Sequence, residues 1–317
     1  MAAIELDGVT KRYDGGLGLP GRSSDPVEAL SDLDLTVREG DIYGFLGPNG
    51  AGKSTTINVL LDFVRPTAGS ARVLDLDART ESQQVRERVG VLPEGFSPYD
   101  RLTGRQHLDF AIESKNAADS PAEIAERVGI ADALDRKAGG YSKGMAQRLV
   151  LGMALVGQPD LLILDEPSTG LDPNGAREMR DIVRAERDRG ATVFFSSHVL
   201  GQVEPVCDRV GILRDGELVA EDTVEGLREA AGGETTLAVD VERLPDDAVA
   251  AVRTLDGVST VRADGQRLTV DCVDGAKTTV LSTLEDNGAP VADFDTTGAS
   301  LEEVFASYTT GEPEVRA

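Results

Sequence analysis

A glycine-rich segment between a short apolar run and a helical pattern constrains this chain more than any other feature. The segment is Gly47-Pro48-Asn49-Gly50-Ala51-Gly52-Lys53-Ser54-Thr55, and it joins the run at 42–46 to the pattern at 56–61. In this context G-x-x-x-x-G-K-[ST] indicates a phosphate-binding loop. Glycines let the backbone N–H groups curl around a phosphate chain, and the following helix adds its N-terminal partial charge. We therefore expect a bound nucleoside triphosphate, with Lys53 at its β and γ phosphates and Ser54 at Mg²⁺. The alternative, a glycine-rich turn with a solvated lysine, does not explain the flanking strand and helix.

A second chemical feature is the acidic pair Asp165-Glu166, which follows the apolar run at 161–164. We expect Asp165 to hold Mg²⁺, directly or through water. Glu166 would accept a proton from the attacking water or orient it. The alternative, a solvated acidic turn before a proline, is typical of an Asp-Glu-Pro sequence without a neighbouring strand and phosphate loop.

Of the two histidines, His198 follows the apolar run at 191–196. It is predicted to lie at the strand-end edge where open α/β sheets bind ligands. There its imidazole can donate to the γ-phosphate and hold the attacking water between itself and Glu166. His107 lies in a helical pattern without an evident partner, so we interpret it as a surface or packing residue.

The remaining pattern divides the chain into two predicted domains. In residues 1–225, buried runs alternate with helices, which indicates an α/β fold: a P-loop NTPase core with a mixed sheet covered on both faces. Residues of about 97–150 are predicted to form a helical subdomain inserted between core strands. Residues 226–317 follow the order β-α-β-β-α-β, which predicts a small α+β, ferredoxin-like domain after a linker at 232–233.

The net charge is −24, from 56 acidic and 32 basic residues. So acidic a surface repels phosphates, and we expect no nucleic-acid partner. The surplus also suggests a halophilic, high-salt cytoplasm, where ions screen charge over roughly 3 Å at molar salt. An ordinary acidic protein is the alternative.

No apolar run approaches the roughly 18 residues of a membrane span. The N-terminus lacks the basic and apolar regions of a signal peptide. Cys207 and Cys272 have no C-x-x-C partner, which is typical of reduced thiols. We therefore expect a cytoplasmic chain that reaches a membrane only through a partner.

Residues 3–225 resemble an ABC transporter ATP-binding protein. Residues 47–55 match the family's Walker A motif, and residues 161–166 match its Walker B motif with the catalytic glutamate. His198 resembles the family's H-loop histidine, and Tyr13 resembles the aromatic residue that stacks on adenine. The resemblance implies that the nucleotide is ATP, bound with Mg²⁺ and hydrolysed.

The most diagnostic segment is Tyr141-Ser142-Lys143-Gly144-Met145, followed by Gln147-Arg148. It resembles the ABC signature in the spelling common in the drug- and lipid-exporter-like branch. The run from Ser168 to Asp172 resembles the D-loop. In the family, two domains sandwich ATP head to tail, so the signature residues Ser142, Lys143, Gly144 and Met145 would act on a partner's ATP.

The resemblance therefore implies a homodimer, or a heterodimer with a similar ATPase, bound to an integral-membrane permease at the inner face of the membrane. The implied function is ATP-driven transport, in the export direction. Glu94 and residues 95–101 lie where the family contacts its membrane partner. The tail at 301–305, with Tyr308 after it, resembles the motif that closes the exporter-like branch.

Three residues or segments depart from the family pattern. Glu94 occupies the position of the Q-loop glutamine, where a carboxylate can still lie near Mg²⁺. Lys143 replaces a glycine of the signature and adds a cation near the nucleotide-facing surface, or is simply solvated. The loop at 14–26 is longer than the family's usual connection, which bears on the role of Tyr13.

Two rival functions belong to other classes. An ABC ATPase that works on DNA or ribosomes would show long coiled-coil insertions or two fused ATPase units, and often a basic surface. A regulatory module that senses ATP without turnover would not need the set Lys53, Asp165, Glu166 and His198. The sequence favours the transporter subunit.

Overall fold

The computed structural model describes residues 1–14, 26–230 and 234–297, together with Phe305 and Tyr308. Most of the predicted loop at 14–26 lies outside the described residues. The same holds for the linker glycines at 232–233 and for the tail motif apart from its two aromatic residues.

The chain divides into two compact units, residues 1–223 and 224–317. The strands of the first unit are β1 (Ala2–Tyr13), β2 (Val27–Arg38), β3 (Ile42–Leu46), β4 (Ala68–Val73), β5 (Leu76–Asp77), β6 (Val89–Leu92), β7 (Leu161–Asp165), β8 (Thr192–Ser197), β9 (Arg209–Arg214) and β10 (Glu217–Thr223). Its α-helices are α1 (Lys53–Leu60), α2 (Ser82–Arg88), α3 (Gly104–Lys115), α4 (Pro121–Arg127), α5 (Lys143–Leu155), α6 (Pro173–Arg189) and α7 (Leu200–Val203).

The central sheet of this unit has the order β10-β9-β3-β8-β7-β6. The pairs from β9 to β6 are parallel, and β10 is antiparallel to β9. Every residue of β3, β7 and β8 is buried. Such continuous apolar strands are expected where a parallel sheet is covered on both faces. The carboxyl ends of β3, β7 and β8 therefore meet at one edge, where the loops that follow them lie side by side.

A second sheet, β2-β1-β4-β5, is antiparallel. Along β2, residues 33–38 alternate between buried and exposed, as expected for a sheet with one face on the core. Leu33, Leu35 and Val37 belong to the same buried cluster as Tyr43 and Phe194 of the central sheet. The aromatic rings of Tyr43 and Phe194 stack with their centroids 5.9 Å apart.

The predicted helical insertion contains α3, α4 and α5. Helix α3 begins at a capping box, in which Thr103 and Gln106 exchange side-chain and backbone hydrogen bonds. Helix α5 continues to Leu155, beyond the predicted boundary at 150, because its later residues pack as a buried apolar face. His107 is not partnerless: it is buried, its Nδ1 contacts Thr103 O at 2.8 Å, and its Nε2 accepts from Tyr99 N at 2.9 Å.

The second unit contains α8 (Val224–Ala230), β11 (Glu234–Val241), α9 (Asp246–Arg253), β12 (Val258–Asp264), β13 (Arg267–Val273), α10 (Lys277–Asp286) and β14 (Val291–Thr297). From β11 onward the elements follow the predicted β-α-β-β-α-β order. The strands form an antiparallel sheet in the order β12-β13-β11-β14. Its core is built from alternate strand residues such as Leu237, Val239 and Val270, together with Val252 and Val280 of the helices.

Among the described residues, the structure contains no helix with the length and apolar character that crossing a bilayer requires.

Candidate active site

The loop between β3 and α1 follows the predicted phosphate-binding pattern. Gly50 and Gly52 take φ values of 87° and 111°, a region that favours glycine. A Cβ on Gly52 would lie 2.6 Å from the Ala29 carbonyl oxygen, and one on Gly47 would lie 2.5 Å from the Leu213 carbonyl oxygen. Close packing of this loop against β2 and β9 therefore requires glycine at both positions.

Lys53 is the first residue of α1, and only 7% of its surface is exposed. Its Nζ donates to the carbonyl oxygens of Gly47 at 2.7 Å and Pro48 at 3.3 Å. Burial lowers the pKa of Lys53, while the carboxylates of Glu166, Asp165 and Glu94 act in the opposite direction. The loop thus holds a desolvated cation at its centre.

A cavity of about 280 Å³ opens over this loop. Its lining consists of Ala29, Pro48, Asn49, Gly50, Gly52, Lys53, Ser54, Thr55, Glu94 and Glu166. The exposed Ser54 hydroxyl and the exposed Glu94 carboxylate both belong to it. The cavity therefore combines loop backbone, a cation, a hydroxyl and two carboxylates.

The acidic pair lies at the carboxyl end of β7, beside β8. Asp165 is paired in register with Ser196, whose hydroxyl donates to Asp165 Oδ1. Asp165 is 5% exposed, and this bond fixes one of its two oxygens. Asp165 lies beside the phosphate-loop cavity but is not part of its lining.

Glu166 leaves the strand with a φ of 49°, in the left-handed region that glutamate rarely adopts. Its Oε1 lies 2.8 Å from His198 Nδ1 and 3.8 Å from Lys53 Nζ. Its Oε2 is buried and has no hydrogen-bond partner among the residues that the structure describes. Because buried polar atoms normally have a partner, this oxygen points to a ligand of the site.

His198 follows β8 directly, as predicted, and its side chain is 44% exposed. Since a carboxylate only accepts hydrogen bonds, the contact with Glu166 assigns a proton to Nδ1. The second ring nitrogen, Nε2, is then left for a ligand or water. The structure therefore brings Lys53, Asp165, Glu166 and His198 to one edge of the sheet.

The signature residues lie elsewhere. Ser142 is the N-cap of α5 and accepts a hydrogen bond from Met145 N at 3.3 Å. A cavity of about 460 Å³ is lined by Ser142, Lys143, Gly144, Met145, Arg148, Gly170, Leu171, Asp172 and Gly175. Among the described residues, this lining has no member in common with the lining of the phosphate-loop cavity.

Lys143 and the D-loop are in contact. The Lys143 side chain lies over Gly170, where a Cβ on the glycine would be 2.3 Å from Lys143 Cε. Asp172 is the N-cap of α6 and accepts a hydrogen bond from Gly175 N at 2.7 Å. That cap and a proline at N1 explain why α6 begins at Pro173.

Tyr13 lies at the end of β1, next to its partner Val27, and is 38% exposed. Lys11 Nζ lies 4.9 Å from the centre of its ring. Tyr13 is not part of the cavity lining; Ala29 of the neighbouring strand is. The adenine-stacking role predicted for Tyr13 remains a prediction.

Several residues support the site through contacts that the sequence alone did not indicate. Ser196 bonds Asp165, Gln147 Nε2 donates to Pro167 O at 3.0 Å, and Gln202 bonds two serines near the acidic pair. These contacts join residues that are far apart in the chain. For Ser196 and Gln202 the only available signal was a polar residue inside or beside a buried strand.

A separate apolar groove of about 400 Å³ lies between α1 and β6 on one side and α3 and α5 on the other. Phe63, Phe96 and Phe110 contribute exposed rings to it. Arg86 and Lys115 line the same groove, and Lys115 Nζ donates to Val89 O at 2.8 Å. Exposed aromatic rings grouped in this way mark an interaction surface.

The family of this chain follows from its similarity to known proteins. A family model described as ABC transporter matches residues 30–169. The chain is 35% identical to the daunorubicin resistance ATP-binding protein DrrA2 of Streptomyces coeruleorubidus, over 97% of this chain and 95% of that protein. The chain belongs to the ABC transporter ATP-binding proteins.

Other relatives of this ABC ATP-binding protein agree. The bacitracin transport ATP-binding protein BcrA of Bacillus licheniformis is 39% identical over 64% of this chain and 67% of BcrA. A solved ATP-binding subunit of an ABC transporter superposes with a TM-score of 0.63 at 26% identity, covering 73% of this chain and 93% of the other. A dimeric post-hydrolysis ATP-binding cassette bound to ADP and Pi superposes with a TM-score of 0.62 at 22% identity, covering 70% and 98%. The predicted family, fold class and ATPase activity are confirmed.

The residues of this ABC ATPase fit ATP and a divalent cation. The loop N–H groups and Lys53 suit a phosphate chain, and the Ser54 hydroxyl and Asp165 carboxylate are hard oxygen donors that suit Mg²⁺. Among the described residues, no group of three or more His, Cys, Asp and Glu side chains is arranged to hold a metal.

Proposed function

We propose that this chain is the ATP-hydrolysing subunit of an ABC exporter and drives a separate integral-membrane permease. The observation that carries the proposal is the convergence of Lys53, Asp165, Glu166 and His198 on one edge of the sheet, with one carboxylate oxygen left unpartnered. This arrangement supports turnover rather than ATP sensing alone. Lysine and carboxylate side chains with only a structural role would not need to converge in this way.

In the proposed reaction, the phosphate loop and Lys53 hold the phosphates. Ser54 and Asp165 would hold Mg²⁺, which would supply positive charge to the phosphates. Glu94, at the rim of the cavity, is proposed to lie near the metal. Glu166 accepts a proton from water or orients it through Oε2. His198 holds the Glu166 carboxylate through Nδ1 and faces the γ-phosphate with its other nitrogen.

We propose a dimer because the signature residues and the phosphate loop line different cavities. Ser142 and the start of α5 offer donors and a helix N-terminus suited to a γ-phosphate, yet they line a cavity away from their own phosphate loop. We propose that this cavity covers the phosphate loop of a second copy, or of a similar ATPase. Two composite sites then form, and hydrolysis separates the halves.

The apolar groove is the proposed contact with the permease. Phe63, Phe96 and Phe110 suit the apolar face of a helix, and Arg86 and Lys115 suit an acidic residue on it. Phe96 belongs to the segment 94–101, which the family resemblance assigns to the membrane partner. Asp165 also lines the groove, so a partner held there would lie close to the proposed metal carboxylate.

Export is the proposed direction of transport. The names of the relatives support it, since they include daunorubicin resistance, bacitracin transport and fluoroquinolone export proteins. The chain is proposed to lie at the cytoplasmic face of the membrane, held there by the permease. Because the chain carries a net charge of −24, we also propose that it works in a high-salt cytoplasm.

Glu166→Gln tests the proposal. The amide cannot accept the proton, so ATP binding should be retained while phosphate release falls roughly 10²-fold or more. Release of phosphate from Mg-ATP by the purified full chain is the measurement, with Gln83→Leu on the exposed face of α2 as a control that should keep the wild-type rate. A Glu166→Gln variant with near wild-type turnover would rule out Glu166 as the base.

A further inference from the structure

Two serine hydroxyls, one on each side of the Glu166–His198 contact, converge on a single amide oxygen. Ser168 Oγ donates to Gln202 Oε1 at 2.6 Å. Ser197 Oγ lies 3.2 Å from the same oxygen. We propose that Gln202 is a positioning residue for ATP hydrolysis, because it ties the loop that carries Glu166 to the strand end that carries His198.

The local structure explains why such a bridge is needed. Glu166 and His198 follow different strands, and His198 is nearly half exposed, so packing alone does not fix its ring. Ser168 and Ser197 are both buried, at 6% and 0% exposure, and each therefore requires a hydrogen-bond partner. Gln202 supplies one acceptor to both.

The two bonds differ in strength. Ser197 Oγ also accepts from Val199 N at 3.0 Å and lies 3.3 Å from Val199 O, so its single proton is shared between two acceptors. The Ser168 bond is shorter and has no competing acceptor among the described contacts. Loss of the amide oxygen should therefore release the Glu166 side of the bridge more than the His198 side.

This inference rests on the proposed roles of Glu166 and His198. Gln202 is not part of the lining of the phosphate-loop cavity, so its removal should lower kcat and leave KM for ATP unchanged. Gln202→Leu keeps the size of the side chain and removes the acceptor. Because small misplacements of catalytic groups are costly, we expect kcat to fall by about 10-fold or more.

Gln202→Glu is the conservative variant. Its carboxylate retains the acceptor oxygens, so it should keep at least half of the wild-type kcat. Ser168→Ala should reproduce most of the loss seen with Gln202→Leu. Gln83→Leu, the same substitution on an exposed helix face, should change neither constant, and thermal unfolding midpoints should show that all variants are folded.

A double-mutant cycle separates positioning from a general structural effect. In a His198→Ala background, Gln202→Leu should cost much less than in the wild type, because the contact it maintains is already lost. Equal losses in both backgrounds would show that Gln202 does not act through the Glu166–His198 contact. Equal losses for Gln202→Leu and Gln202→Glu would overturn the acceptor role.

The role of Gln202 and the proposed ATPase function can be tested separately. If Glu166→Gln is inactive while Gln202→Leu turns over at the wild-type rate, the bridge is wrong and the proposed function stands. If Glu166→Gln is itself active, Glu166 is not the base. The proposed positioning role of Gln202 is then wrong as well.

Discussion

Glu166 combines two features that stability alone would not select. Its left-handed φ costs an L-residue on the order of 1–2 kcal/mol. Its carboxylate is buried with one oxygen unpartnered among the described contacts. Unfavourable backbone and unpaired polar atoms persist where the surrounding structure enforces them, and they concentrate at functional sites.

A comparison of Glu166→Gly with Glu166→Ala isolates the backbone strain. Both variants remove the carboxylate with its contacts to His198 and Lys53 and should abolish turnover, but only glycine accepts the left-handed φ. We therefore expect Glu166→Gly to exceed Glu166→Ala by about 1 kcal/mol in the free energy of unfolding, measured by thermal unfolding without nucleotide. At Asp165, an extended strand residue, glycine should be less stable than alanine. A Glu166→Gly variant no more stable than Glu166→Ala would contradict the strain.

At the level of the element, the start of α5 has two separable roles. Ser142 caps the helix by accepting from Met145 N, and it is also proposed to contact a phosphate on the partner subunit. Asp caps helices as well as serine, whereas alanine does not. A carboxylate, however, repels a phosphate.

Ser142→Asp should therefore keep the stability of α5 and lose ATP-driven dimerisation. Ser142→Ala should lose about 1 kcal/mol of stability through the missing cap and retain part of the dimerisation. Both are compared in the Glu166→Gln background, with dimers measured by light scattering in the presence of Mg-ATP. Dimers of Ser142→Asp as stable as those of the parent would place the signature away from the phosphate.

Elements in which apolar residues or glycines recur at a regular spacing were predictable from the sequence. The β-α-β-β-α-β order of the second unit follows from alternation and turns, and the loop before α1 follows from glycines at fixed offsets. The C-terminal end of α5 and the N-terminal start of α6 were not predictable. The first depends on the burial of an apolar helix face, and the second depends on the Asp172 cap. Ser196 and Gln202 were also unpredictable, since a buried hydroxyl and an isolated glutamine leave no pattern until the fold brings them together.

At the level of the whole molecule, the charge of −24 is the dominant property. Self-repulsion of this size destabilises a compact chain and is screened by salt, whose Debye length shrinks from about 10 Å at 0.1 M to about 3 Å at 1 M.

We therefore expect the thermal midpoint to rise steadily as KCl is raised from 0.1 M to 2 M, in proportion to screening. Choline chloride at equal ionic strength should give the same rise, since screening does not depend on the cation. A midpoint that is independent of salt would show that the surface charges are already balanced locally.

The two hydrogen bonds from Lys53 to its own loop have a consequence for selectivity. Because Gly47 and Pro48 already accept two of the three possible hydrogen bonds from the ammonium, an arriving phosphate would replace existing bonds, and the net gain would be small. A single orthophosphate ion, which is abundant in cells, would gain little binding free energy from this exchange of hydrogen bonds. We expect that only a ligand long enough to engage the loop amides and the lysine at once would recover the loss. The loop would then discriminate by the length of the phosphate chain before any base is recognised.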